Sequence, residues 1–544
     1  MTGVAQVVAR RWDGIGGRLN ALANASALAS AHGLDLRFAW PDTPEVASGD
    51  PAELFSRDFL DAHLVESVSL DRRPGIGCDD VQRALERRRE LLADGCDGDP
   101  FLDVDPPFDA HPGLGHGADA TAALAAAFGG IRWADALAPV VEHCTRWPAA
   151  GERWTGIHVR AGDVVTGAWR RTLWHEKYQV LPLLRSTVER SCQDGGTVLL
   201  VTDHPALADW LAAGLSGACR PAALIAEYPG LTESQQVLAD LLLLSRCSSV
   251  VGPPKSALSG LAAALGGVEV AQPVDLFDPE ERRTLLEAGI AAQFADRAHP
   301  TLLAPVTARD IVWYADVYGG SLPARRLTGL LEAATELDPA FCGAWARLGR
   351  TRARQGRWRD ARRAARAAVT CAAADERQDD TAFEAALTDA VVGSLSTLRK
   401  AWRPGRAARR RELDRVRASI AAARTLRPWH PLAGALTASE ELATRVATVV
   451  EAPWTRRVGA AGALRRRLAP PLDPGSDRGR LAQVRTGAFD WMRPEIEALV
   501  RRCAGDPGAH DRSGHDAGPS PTAPYRGRPC RTATEVPRRS ATRS

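Results

Sequence analysis

Lysine is almost absent from this 544-residue chain: Lys177, Lys255 and Lys400 stand beside a great many arginines. So one-sided a bias reads as coding composition and excludes nothing by itself. Other scarcities exclude more. The ten cysteines are scattered singly, with no CxxC and no Cys/His spacing that closes a tetrahedral zinc site, which rules out a disulfide scaffold and a zinc module. A reduced, cytoplasmic protein is the expectation. No window approaches the ~20 apolar residues of a membrane span, and no apolar run follows the first residues, so neither a span nor a signal peptide is expected. Net charge is also scarce, at +3. With 45% hydrophobic and 25% charged residues the chain has the composition of a soluble globular protein, which excludes collagen-like and wholly disordered classes.

At this length two or three domains are expected. The small net charge hides two unlike ends. Residues 1–150 hold 13 arginines against 23 acids, whereas 341–430 hold 21 basic residues against 9 acids, so the ends read as different modules. Residues 4–9 predict a strand, Asp13–Gly17 a tight loop, 18–32 an Ala/Leu-rich helix stopped by Gly33, and 34–40 a second strand, together a β-loop-α-β unit. From Pro41 to about Gly130 the text is Asp/Pro/Gly-rich and predicts little beyond a helix near 81–92. A helix over 131–147 opens a second run. It continues as strands at 155–159, 197–202, 249–252 and 268–272, with helices at 181–192, 205–213, 233–245 and 256–265.

Past residue 320 strand signals stop. Pro339, Trp345, Leu348, Gly349, Gly356, Ala361 and Ala368 fall in the phase of a 34-residue tetratricopeptide repeat, with Leu327, Leu331 and Ala334 as a preceding half-repeat. A looser copy ends at Val416, Ile420, Ala423 and Pro428. The expected division is therefore an N-terminal Rossmann-like domain over 1–150 and a second Rossmann-like domain over 151–320. TPR-like helical repeats follow over 321–450, then a helical segment over 451–503 and a disordered tail over 504–544.

The chemistry concentrates in Gly156-Ile-His158-Val-Arg160-Ala-Gly162-Asp163, a strand running into a loop with His, Arg and Asp. Ligands of open α/β sheets bind outside the carboxyl ends of strands, where Arg160 and Asp163 fall. Arginine offers a planar fork matched to phosphate oxygens; a structural Arg160–Asp163 salt bridge is the bland alternative. Gly252-Pro-Pro-Lys255-Ser256 also joins a strand to a helix, so helix amides face a potential anion there, with Ser256 as a plain N-cap otherwise. Thr202-Asp203 ends the intervening strand and reads equally as a cap for the helix at Pro205.

These segments resemble a known family. His158-Val-Arg160-Ala-Gly162-Asp163, Val201-Thr202-Asp203, and Asp240 through Ser245 and Val251-Gly252 to Ser256 are similar to the three peptide motifs of the GDP-fucose-dependent fucosyltransferases. Gly14-Ile-Gly16-Gly17-Arg18-Leu-Asn20 with Leu36–Trp40 is similar to their N-terminal glycine loop and the strand after it. The resemblance covers roughly residues 4–275. It implies an α/β GT-B-like pair of Rossmann-like domains, here followed by the all-α TPR-like repeats, and inverting transfer from a GDP-sugar without a metal. By the same resemblance Arg160 holds the donor pyrophosphate and stabilises departing GDP, His158 lies near the nucleotide, Asp240 pairs with guanine and Ser256 contacts phosphate. The third motif departs from the family's Ser-Ser-Phe pattern, reading Lys255-Ser256-Ala257-Leu258. Asp13 is nominated as the base that activates the acceptor hydroxyl, with capping of its own turn as the alternative.

Several patterns are set aside. Asp103-Val-Asp105 has DxD spacing but reads as part of a Pro/Asp-rich loop with no strand before it. Pro254-Lys255-Ser256 is similar to the phosphosulfate loop of sulfotransferases yet lacks the following Gly-Thr-Thr. Arg347, Arg350, Arg354, Arg357, Arg362 and Arg366 read as a solvated helix face without the aromatic interleaving of a nucleic-acid binder. The expected partners are a nucleotide-sugar donor, a glycan or protein acceptor, and a protein met through the repeats; no nucleic acid is expected. Two alternatives stay open: a TPR interaction protein with a degenerate sugar-nucleotide module, and a sulfotransferase using a phosphosulfate donor.

Overall fold

The computed structural model describes most of residues 5–373; residues 1–4, 42–48, 105–110, 115–117, 150–151, 167–176 and 374–544, with a few positions between them, lie outside it. The looser repeat copy, the segment 451–503 and the tail therefore fall outside the described residues. Within them the chain builds two five-stranded sheets in which every strand pair is parallel. The first comprises β1 (Gln6–Arg10), β2 (Asp35–Ala39), β3 (Leu64–Val65), β4 (Gly75–Gly77) and β5 (Phe101–Val104), ordered β3-β2-β1-β5-β4. The second comprises β6 (Trp154–Val159), β7 (Thr197–Thr202), β8 (Ala218–Cys219), β9 (Ser249–Val251) and β10 (Val270–Ala271), ordered β10-β9-β6-β7-β8. Two parallel α/β units with a helical remainder fit the GT-B-like arrangement expected from the sequence.

Both sheets begin in the middle. β1 and β6 are laid down first, later strands are added on one side and then on the other, and the strand order reverses at β1/β5 and at β6/β9. Crevices at such reversals are where open α/β sheets take ligands.

Numbering the helices of eight residues or more in chain order, α1 (Ile15–His32), α2 (Val81–Ala93), α3 (Ala118–Gly129) and α4 (Ala138–Arg146) accompany the first sheet. The second sheet has α5 (Leu181–Gln193), α6 (Pro205–Ala212), α7 (Glu233–Ser245) and α8 (Ala257–Gly266). The caps explain several boundaries. Gly33 takes the left-handed conformation, φ 64°, and its N–H closes α1 on the Ala29 carbonyl, a geometry cheap only without a Cβ. Thr232 and Gln235 form a reciprocal capping box that opens α7.

Three expectations change. Phe101–Val104, assigned to a loop, is β5, an inner strand paired with β1 and β4; Phe101, Leu102 and Val104 are buried, and the surrounding Asp/Pro text masks so short a strand. The helix expected over 131–147 starts only at Ala138, with Pro139 in its first turn and Trp133 bridged and stacked against Phe55. Asp203 does not cap the helix at Pro205; His204 occupies that position without a side-chain bond.

The apolar core does not break at the expected domain boundaries. One cluster joins Val7, Leu19 and Leu28 of the first unit to Leu241, Leu244, Val250 and Leu261 of the second. A second cluster joins Ile157, Val159 and Leu184 to α10 (Pro300–Tyr318), α11 (Ala324–Leu337) and α12 (Cys342–Arg354), numbered after α9 (Pro279–Ala295). α13 (Trp358–Ala373) packs antiparallel on α12, so the described residues past 320 are helical. At their root Arg309, fully buried, donates to Asp338 at 2.9 Å and lies 4.4 Å from the Phe341 ring centroid.

Candidate active site

Three loops of the second unit converge at the carboxyl end of β6. His158, 6% exposed, is the penultimate residue of β6. Its Nδ1 lies 3.0 Å from Ser259 Oγ and 3.3 Å from Ser256 Oγ, two hydroxyls that can each turn to suit either ring tautomer. Ser256 also accepts from the Ser259 amide as the N-cap of α8. His158 and Ser256 are thus brought together across β6/β9, the point of strand-order reversal. Gly252 is needed for that approach, because a Cβ there would sit 2.6 Å from Ser259 Oγ.

Asp203, at the end of β7, closes the cluster from the other side. Its Oδ1 accepts from the amides of Ala161 and Gly162, each at 2.8 Å. Two successive amides of this kind form an anion-binding nest, and here a carboxylate of the chain itself occupies it. Asp203 therefore sets the shape of the Arg160 loop. Gly162 must lack a side chain, since a Cβ would fall 2.8 Å from the Asp203 carbonyl oxygen. Arg160 is half-buried, and its amide donates to Gln179 Oε1 at 3.4 Å. For Asp163 the backbone turn is described and the side chain lies outside the described set.

The first unit meets this cluster through the glycine loop. A Cβ on Gly16 would lie 3.0 Å from Leu258 Cβ, so the first turn of α1, which starts already at Ile15, abuts the first turn of α8. Asp13 leans over Gly17, whose added Cβ would come within 2.2 Å of Asp13 Oδ1, and its Oδ2 accepts from Arg11 Nε at 2.9 Å. Oδ1 is buried without a hydrogen-bond partner. Arg18 is buried, donates to the Asp13 carbonyl at 2.8 Å and places its guanidinium 5.1 Å from the Trp40 ring centroid.

Asp240 is not tied to the cluster by any described contact. It lies midway along α7 and receives a hydrogen bond from Gln236 Nε2 at 3.0 Å; the Cys144 thiol on α4 is pushed up by burial first and by the Asp240 charge second. Burial pushes the Asp240 carboxyl up to about 7, with the Gln236 bond only partly offsetting that. Asp103, on β5 rather than in a loop, faces Arg10 at 3.5 Å. Among the described residues no group of three or more His, Cys, Asp or Glu is arranged to hold a metal ion, and no helix is long and apolar enough to cross a membrane.

Sequence reasoning missed Ser259, Gln179 and the true partner of Asp203. For Ser259 a signal existed: Ser256-x-x-Ser259 at the start of a helix. For Asp203 none did, because its bonds reach back 41 and 42 residues.

No protein-family model and no curated protein matches the chain. Solved structures do. Fucosyltransferase NodZ from Bradyrhizobium is 20% identical over 48% of this chain and 92% of its own, with a TM-score of 0.29. POFUT1 in complex with GDP is 12% identical over 50% and 99%, at 0.30, and Arabidopsis thaliana FUT1 in complex with GDP is 14% identical over 52% and 72%, at 0.33. Scores of this size decide nothing about chemistry, which has to be read from the residues.

Proposed function

We propose that the chain is a fucosyltransferase-like glycosyltransferase that moves a sugar from a GDP-sugar to a hydroxyl of a glycan or protein acceptor, with inversion. The observation that carries the reading is the convergence of His158, Ser256, Ser259 and Asp203 around the Arg160 loop at a strand-order reversal. Such a crevice suits a nucleotide, and the arginine there suits its diphosphate. In an inverting displacement the acceptor oxygen attacks the anomeric carbon while the diphosphate departs on the opposite face. Negative charge grows on the leaving oxygens, and a guanidinium fixed beside them gains interaction as the bond breaks. Arg160 takes that role, helped by the amides opening α8 beyond Ser256.

In this reading Asp13 receives the acceptor proton. Arg11 holds Oδ2 at 2.9 Å, and Oδ1 has no hydrogen-bond partner and so keeps its lone pairs for the acceptor hydroxyl. Asp240 recognises guanine by accepting from N1–H and the exocyclic amine, His158 fixes the α8 cap against β6, and Asp163 completes the donor loop. No metal is assigned a part, and the TPR-like helices are the surface proposed to meet a protein partner.

The test is Arg160→Ala assayed by GDP release across a panel of GDP-sugars. Turnover should fall roughly 10²–10³-fold, the loss typical of one preorganised donor, with the melting temperature unchanged. Arg160→Lys should rescue little, because a point charge does not reproduce the fork. Wild-type turnover in the alanine variant would sink the assignment.

A further inference from the structure

Gln179 is 5% exposed, yet its carboxamide is only half used. Oε1 accepts the Arg160 amide, while Nε2 is buried with no hydrogen-bond partner. The amide cannot simply be turned over, because that would set two donors against each other at Arg160. Nor can the residue swing away. On one side Tyr178 donates its hydroxyl to Asp310 Oδ1 at 2.6 Å, and on the other the Leu181 amide donates to the same oxygen at 3.0 Å. Asp310 is fully buried on α10 and is held in turn by Gln293 Nε2 at 2.8 Å on Oδ2. The chain on both sides of Gln179 is therefore pinned to a carboxylate in the core, and the side chain is presented to the β6 loop from behind. A donor kept buried and unpaired beside a ligand-binding loop is a group waiting for an acceptor.

We infer that Gln179 is a further ligand-binding residue of this loop, its Nε2 donating to an oxygen of the diphosphate that Arg160 holds. The inference rests on the nucleotide reading above and deepens it. One carboxamide would then couple the two halves of donor binding, fixing the Arg160 backbone through Oε1 and touching the phosphate through Nε2. Asp310 acts as the positioning residue behind it.

The experiment is calorimetric titration of the full chain with GDP, inorganic pyrophosphate and guanosine, for wild type, Gln179→Met and Gln179→Glu. Met keeps the volume and removes both the donor and the acceptor for Arg160; Glu keeps an acceptor for Arg160 and turns the other end into an anion. Met should weaken GDP and pyrophosphate by roughly 5–20-fold and leave guanosine unchanged, with a cooperative melt retained. Glu should weaken the two phosphates further, and if Met does not fold, Glu alone decides. Wild-type affinity for pyrophosphate in either variant overturns the role of Gln179 and leaves the nucleotide reading standing. Equal losses for guanosine overturn it as well, since they mark a distorted loop. A wild-type chain that binds neither GDP nor pyrophosphate overturns both.

Discussion

Ending the chain at Leu322 should unfold it, although the Arg160, Asp203 and Ser256 segments all lie upstream. The sequence alone suggests the opposite, that a fragment without the repeats stays folded and binds nucleotide. Arg309 decides the matter. Its guanidinium is fully buried, and the cut removes both Asp338, 2.9 Å away, and the Phe341 ring, 4.4 Å from it. Depriving a buried charge of its counter-ion costs about 3–5 kcal/mol, and losing a desolvated cation–π contact adds up to ~2. Leu331, Phe341, Ala344 and Leu348 also leave the core they share with Ile157 and Val159, and a buried phenylalanine alone carries about 3–5 kcal/mol. These losses match the ~5–15 kcal/mol a whole domain possesses.

The point version is Asp338→Ala, followed by urea denaturation with circular dichroism. It should cost about 3–5 kcal/mol, and Arg309→Met in the same chain should recover much of that, because the penalty belongs to the stranded charge. A monomeric 1–322 fragment with a cooperative melt and wild-type GDP affinity would refute the argument, and so would a double variant no more stable than Asp338→Ala.

Asp240→Asn should weaken GDP by about 1–3 kcal/mol while changing UDP far less, because one oxygen that would face guanine donors becomes a donor itself; equal losses for both nucleotides in calorimetry would make Asp240 structural. Burial raises the Asp310 carboxyl to about 7, with the Tyr178, Gln293 and Leu181 bonds and the Arg309 charge only partly offsetting it. A carboxyl raised in this way binds its proton more tightly folded than unfolded, so its contribution to stability is full below pH ~4 and is lost as pH rises through 7. Melting temperature should therefore fall between pH 5 and pH 8, with Asp310→Asn flattening the slope by an amount on the order of a few kcal/mol; an unchanged slope in the variant would show that other groups titrate.

What could be read in the sequence depended on how local its cause was. β7 and α7 match their expected bounds, since four buried apolar residues flanked by threonines make a strand and a Thr-x-x-Gln box starts a helix whatever surrounds them. The meeting of the three loops was legible too, because in a parallel sheet every strand's carboxyl end lies on one edge. β5 was not, since four residues between Pro100 and an acidic stretch carry too little pattern to outvote their neighbours.

The polar groups at depth were the least legible of all. Arg309 and Asp310 sit side by side on one helix, and by residue type alone such a pair belongs to a solvated face. Each is instead buried because its partner comes from another element: Asp338 from the turn after α11, Tyr178 and the Leu181 amide from the start of α5. Such pairs link the helical layer to the residue that holds the Arg160 amide, one on each side of the same turn of α10. The helices past residue 320, expected to form a separate module, are in this way continuous with the Arg160 loop, so a substitution at Asp338 should be felt at Arg160 through Asp310 and Gln179 rather than at the helical surface alone.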